Sequence, residues 1–209
     1  MVENFHKPTQ YSTDKFDTFE GGEDPAQIMR AAHDTAHALL EGARNSDDPA
    51  VLDRIIAYTD KNGIDSLAEL WSRSSAGSLP GALWRIYLLR AVIQQDAVGT
   101  SFLFQRGIEI LPTIDAAVTG AINPTGPEEI KGLADQILRG LFRGDFGVAL
   151  DRAASFSRIL SSGAGSVADD QELLNPERAT ELTTRASRYS LIGEDLTLCA
   201  KRFRAGALD

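Results

Sequence analysis

The sequence predicts an all-α protein, a multi-helix bundle or helical array built around a buried central helix at about residues 80–96. Three observations carry that expectation. Helix-start signals recur: Asp24-Pro25, Asp48-Pro49 and Asn175-Pro176 each set a side-chain acceptor just before a proline, and Gly126-Pro127-Glu128-Glu129 adds an acidic first turn. Proline at the first helical position loses no needed donor, and carboxylates there meet the positive end of the helix dipole. Apolar residues also recur at helical spacing, as in Ile130, Leu133, Ala134, Ile137, Leu138, Leu141 and Phe142, which line one face of a helix. No alternating strand pattern competes with them.

Taken in order, residues 1–23 mix polar side chains with isolated aromatics and follow neither the helical nor the strand period. They read as a flexible or late-packing arm. Residues 24–209 read as a single helical domain, with helices expected at 25–44, 49–61 and 65–74. In 80–96, Leu83, Trp84, Ile86, Tyr87, Leu88, Leu89, Ala91, Val92 and Ile93 surround the axis, and a helix apolar on all sides is a buried one. Trp84 and Leu88 are expected to anchor it, each alanine substitution costing roughly 2–5 kcal/mol. Helices at 97–111 and 113–122 follow. Arg143-Gly144-Asp145 breaks the face that ends at Phe142, and Phe146, Ala149, Leu150, Ala153, Phe156 and Leu160 begin another. These two segments predict an antiparallel helical hairpin. Ser/Gly stretches at 74–78 and 161–166 read as loops. The second predicts a hinge near 161–170, ahead of a C-terminal helical pair at 176–190 and 193–205.

Composition narrows the setting. With 209 residues and 43% hydrophobic content the chain can bury a sizeable core, which excludes disorder throughout. Apolar runs such as Ile86-Tyr87-Leu88-Leu89 are far short of the ~20 residues of a membrane span. The start, Met1-Val2-Glu3-Asn4-Phe5-His6, has no basic and apolar leader, and the single Cys199 allows no internal disulfide. Both predict a cytoplasmic protein. Net charge is −9, concentrated in residues 1–70, which hold 14 acidic and 6 basic side chains. Such a surface repels phosphate backbones and disfavours direct nucleic-acid binding.

Five features have the letters of chemistry. His33, His37 and Glu41 stack one turn apart on a helix. Two imidazoles at i, i+4 can share a divalent metal, and His33-Asp34-Thr35-Ala36-His37 echoes the helical zinc motif with Asp for Glu. His33 is expected at the flank of the apolar face formed by Ile28, Met29, Ala32, Ala36, Leu39, Leu40 and Ala43, with His37 farther round. A third ligand is needed, and the remaining histidine, His6, lies in the arm. Gly163, Gly165 and Ala168 fit a dinucleotide loop by letters but lack the strand-turn-helix context it requires. Cys199 shares a helical face with Ile192, Leu196 and Phe203 and reads as a buried packing thiol. Arg85 and Arg90, the charges of the apolar central helix, are expected to pair inside the bundle. Lys201, Arg202 and Arg204 suit a C-terminal dipole.

Leu79-Pro80-Gly81-Ala82-Leu83-Trp84-Arg85-Ile86-Tyr87-Leu88-Leu89-Arg90 and Arg143-Gly144-Asp145-Phe146 resemble stretches of a bacterial family of all-helical proteins with no assigned activity. The resemblance runs over most of the chain after residue 24 and implies no site residues. Gly144-Asp145-Phe146-Gly147-Val148-Ala149-Leu150 is similar to the turn of a tetratricopeptide repeat, and Leu133 and Gly140 stand where that repeat has aromatics, so it implies only a helical hairpin. The functional expectation is a non-catalytic protein-interaction or regulatory module, a homodimer through its first and last helices, with no catalytic residues and no cofactor. The alternatives are a metal-dependent helical-bundle enzyme using His33 and His37, and a nucleic-acid-associated regulator.

Overall fold

The computed structural model describes residues 24–45, 65–121 and 125–209, with positions 48, 50 and 54. The expected arm (1–23) and the helix expected at 49–61 lie outside these residues, apart from those three positions. The described residues form eight helices and no strand: α1 Pro25–Arg44, α2 Asp65–Ser72, α3 Leu79–Gln95, α4 Ala97–Ile110, α5 Asp115–Thr119, α6 Pro127–Arg143, α7 Phe146–Gln171 and α8 Pro176–Arg204. The protein is an all-α array of packed helices.

Local side-chain chemistry starts most of them. Asp24 accepts a hydrogen bond from the Ala26 amide at 3.0 Å, Asp145 from Val148 at 3.0 Å and Asn175 from Arg178 at 3.1 Å. Ser78 caps α3 through the Gly81 amide at 3.2 Å, and Asp96 caps α4 through Gly99 at 2.8 Å. Each satisfies an amide that the first helical turn leaves without a partner. Gly120, at φ 72°, closes the short α5 in the left-handed region that glycine adopts without strain.

Two boundaries differ from expectation, for one physical reason. The segment 161–166 is not a loop: α7 runs through it without interruption to Gln171. The expected C-terminal pair, 176–190 and 193–205, is likewise one helix of 29 residues. The small residues are there for packing. A Cβ on Gly163 would overlap the Leu103 carbonyl of α4, and one on Gly107 would overlap the Ile159 carbonyl of α7. Facing glycines thus bring the α4 and α7 backbones together. Gly193 lies over Ala154 and Ser157 of α7 in the same way, and the Ser161 hydroxyl donates to the Ala186 carbonyl at 2.8 Å. The helical penalty of a glycine, ~1 kcal/mol, is small beside what such close packing contributes.

The hairpin joining α7 and α8 is antiparallel over its whole length. Phe146 packs on Phe203 with ring centroids 5.0 Å apart, Ala154 faces Gly193, and Ser161 reaches Ala186. α7 also packs against α4, α5 and α6, while α3 packs against α1, α2, α4, α6 and α8. These two helices share the interior. Phe104 and Phe156, both fully buried, stack at 5.0 Å where α4 crosses α7.

α3 is buried as expected, with no exposed residue from 79 to 93. Its innermost side chains are Leu83, Ile86, Leu89 and Ile93. Trp84 and Leu88, expected to anchor the core, are half-buried instead: Trp84 leans on Tyr87 at 6.0 Å, and Leu88 faces a groove. No helix among the described residues is long and apolar enough to cross a membrane.

Candidate binding groove

The last turns of α3 and the middle of α8 diverge enough to leave a groove of about 470 Å³. It exists because α3 is apolar all round. Its inward side chains Ile86 and Ile93 are committed to the core, which leaves Leu88 and Val92 on the outer side. α8 contributes Tyr189, buried at the floor, and Ile192 beside it. Gln95 and Asp96 close one end, and the Asp96 carboxylate is held there by capping α4.

Two arginines of α8 complete the lining. Arg185 donates to the Tyr189 hydroxyl at 3.3 Å, which orients both side chains. Arg188, one turn along and exposed, has no ion-pair partner among the described residues. The arrangement combines an apolar, partly aromatic floor with a cationic edge. It can hold an aliphatic side chain whose neighbours carry carboxylates.

Other charged groups are engaged inside the fold. Arg85 pairs with Asp195 at 2.7 Å and donates to the Gly81 carbonyl at 3.0 Å. Arg90 pairs with Asp135 at 2.9 Å. Both arginines of the apolar helix therefore find carboxylates, as burial of a guanidinium requires. Near the C-terminus Arg202 donates to the Gly77 carbonyl at 2.7 Å, and Arg204 bonds Asp151. The Asp151 carboxylate raises the Arg204 pKa above its ordinary value.

A second polar cluster ties α5 to the hairpin. Arg158 of α7 donates to Asp115 at 2.5 Å, to Ser155 at 2.9 Å and to Thr197 of α8 at 3.1 Å, while Thr113 donates to Asp115 at 2.7 Å. Burial alone pushes the Asp115 carboxyl up. The hydrogen bonds from Arg158, Thr113 and Ser155 outweigh it and lower the pKa from the ordinary 3.8. A carboxylate held below its unfolded value stabilises the fold above that value, and the contribution is lost as pH falls through the folded pKa. Asp115→Asn is expected to cost about 2 kcal/mol at pH 7, the scale of a charged hydrogen-bond network with one partly exposed member. Urea denaturation measures it: the gap from the parent protein should narrow only below about pH 3.8. A gap that does not narrow as pH falls below about 3.8, or none at pH 7, contradicts this role.

His33 is half-buried at the flank of α1, and His37 and Glu41 are exposed beyond it. Among the described residues no group of three His, Cys, Asp or Glu side chains is placed to hold a metal. His6 lies outside them. Cys199 is buried, and its thiol donates to the Ala76 carbonyl at 3.1 Å. Burial pushes the thiol up to about 11, against the opposing pull of Arg85, so it is protonated at neutral pH and inert. Gly163, Gly165 and Ala168 lie within α7, where no helix N-terminus faces a phosphate.

No family model, curated protein or solved structure matches this chain. The groove is therefore read from its own residues. Arg185, Arg188 and Tyr189 are three and four positions apart, a spacing visible along the sequence. Their significance was not, because the groove needs the end of α3 to meet α8 about 100 positions later.

Proposed function

We propose that this protein is a helical protein-interaction module that works as a homodimer, with the groove between α3 and α8 as its contact surface. The observation that supports this is the groove's chemistry: Leu88, Val92, Tyr189 and Ile192 flanked by Arg185 and Arg188. Tyrosine and arginine over an apolar floor are the residues enriched at the energetic centres of protein interfaces. Charge favours a second copy as the occupant. The chain carries −9 overall, so another copy offers carboxylates to arginines left at the surface. A two-fold pair is the commonest closed solution. The terminal helices remain part of the reading, but Leu196 and Cys199 are buried and Phe203 packs on Phe146, so α8 must contribute a different face.

Light scattering at micromolar concentration tests the proposal. The expected mass is two chains. Leu88→Glu and Val92→Glu, which place a carboxylate in the groove rather than the core, are expected to give one chain with the helical circular dichroism retained. A one-chain mass for the parent protein overturns the homodimer. A two-chain mass in both variants removes the groove from the contact.

A further inference from the structure

The α7–α8 turn presents the two most exposed large apolar side chains among the described residues, Leu173 at 95% and Leu174 at 80% exposure. They are held outward on an ordered turn. The Leu174 amide donates to the Gln171 carbonyl at 3.1 Å, the Asn175 amide to the same carbonyl at 2.8 Å, and Asn175 caps α8. Adjacent leucines on such a turn leave apolar area in water that an interface would cover.

Beyond this turn a stripe of exposed residues runs along α8 from its first turn. Glu177, Glu181, Thr184, Arg188 and Leu191 are all exposed, and they follow each other at alternating intervals of four and three. That spacing lies along one side of a helix, where charged side chains set the orientation of a second helix laid beside it. The stripe is complementary to itself when reversed. An antiparallel α8 pair, centred between residues 182 and 183, sets Glu177 opposite Arg188 and Glu181 opposite Thr184, and carries Leu191 toward the partner's Leu173–Leu174 turn. A two-fold axis makes every one of these contacts twice. Neither Glu177 nor Arg188 has an ion-pair partner among the described residues, while Glu181 is held by Arg178 at 3.0 Å. Arg188 belongs both to the stripe and to the groove, so the seam brings the leucine turn of one copy beside the groove of the other.

We infer that the partner of this surface is a second copy of this chain, docked α8 to α8 in antiparallel register, with Leu173 and Leu174 of each copy covering the groove edge of the other. This rests on the homodimer reading and specifies its register.

Charge reversal on the full chain tests it, read as the dimer dissociation constant by sedimentation or light scattering. Arg188→Glu alone sets two pairs of like charges face to face, as does Glu177→Arg alone. Each is expected to weaken the dimer at least about tenfold, the scale of a ~1.4 kcal/mol loss. The double variant Glu177→Arg/Arg188→Glu restores opposite charges and is expected to return to within about threefold of the parent. Arg188 is exposed, so thermal unfolding of Arg188→Glu measured below the dissociation constant should stay unchanged. Glu177 stands in the first turn of α8, so its reversal lowers the midpoint slightly through the helix dipole, whatever the state of the dimer. A parent protein that is a monomer overturns the homodimer reading itself. A dimer that neither single variant weakens, or that the double variant fails to restore, overturns the antiparallel register and leaves the homodimer standing.

Discussion

Replacing Gly163 with alanine is expected to destabilise the protein by about 3 kcal/mol or more, while the same change two positions away at Gly165 stabilises it. A methyl group at 163 would overlap the Leu103 carbonyl and crowd the Gly107 amide. Those atoms are backbone of a packed helix and cannot rotate away, so α4 and α7 must separate and the Phe104–Phe156 stack beside them must open. Overpacking of this kind costs about 1–3 kcal/mol even where side chains can adjust. At Gly165 nothing lies within 4 Å of the added carbon, so only the conformational gain of alanine in a helix remains, about 0.5–1 kcal/mol. The two variants should shift the thermal midpoint in opposite directions, by roughly 2–4 °C per kcal/mol for a chain of this size. Equal midpoints for the two would mean that the α4–α7 crossing is not held by backbone contact.

Phe156→Ala is expected to cost about 3–5 kcal/mol, the range for truncating a buried aromatic without room for collapse. Phe156 is fully buried, stacks on Phe104 at 5.0 Å, and stands where α7 meets α4. Trp84→Ala, although it removes a larger side chain, is expected to cost less, because Trp84 is half-buried at the side of α3. Urea denaturation of both variants at matched concentration decides the order. A larger loss at Trp84 would return the centre of the core to the outer face of α3.

The contrast between Phe156 and Trp84 shows where sequence reading reached its limit. Trp84 stood in the most apolar segment, so a one-dimensional pattern placed it deepest. A helix apolar on every side must still have an outer side, and only its neighbours decide which residues occupy it. α3 turns Ile86, Leu89 and Ile93 inward and leaves Trp84 and Leu88 toward the surface. The metal-ligand pattern behaved differently. The flank position of His33 and the exposed position of His37 followed from helical geometry alone, and the structure places both there. Whether any third group approaches them is a question of tertiary contact, which spacing on one helix does not address.

The helical class and most helix starts were legible in the residues alone. Those depend on contacts within one turn, such as Asp24 to the Ala26 amide and Asn175 to the Arg178 amide, and on an apolar period that any helix expresses. Only the tertiary structure decided the fate of the glycines and serines at 161–166 and of Gly193. Locally the glycines disfavour a helix by about 1 kcal/mol each and the serines by less. Against a facing helix their lack of side chain becomes the reason the helices can touch, and that larger packing gain carries α7 and α8 straight through them. The groove has the same origin, since Val92 and Ile192 become neighbours only once α3 and α8 have packed.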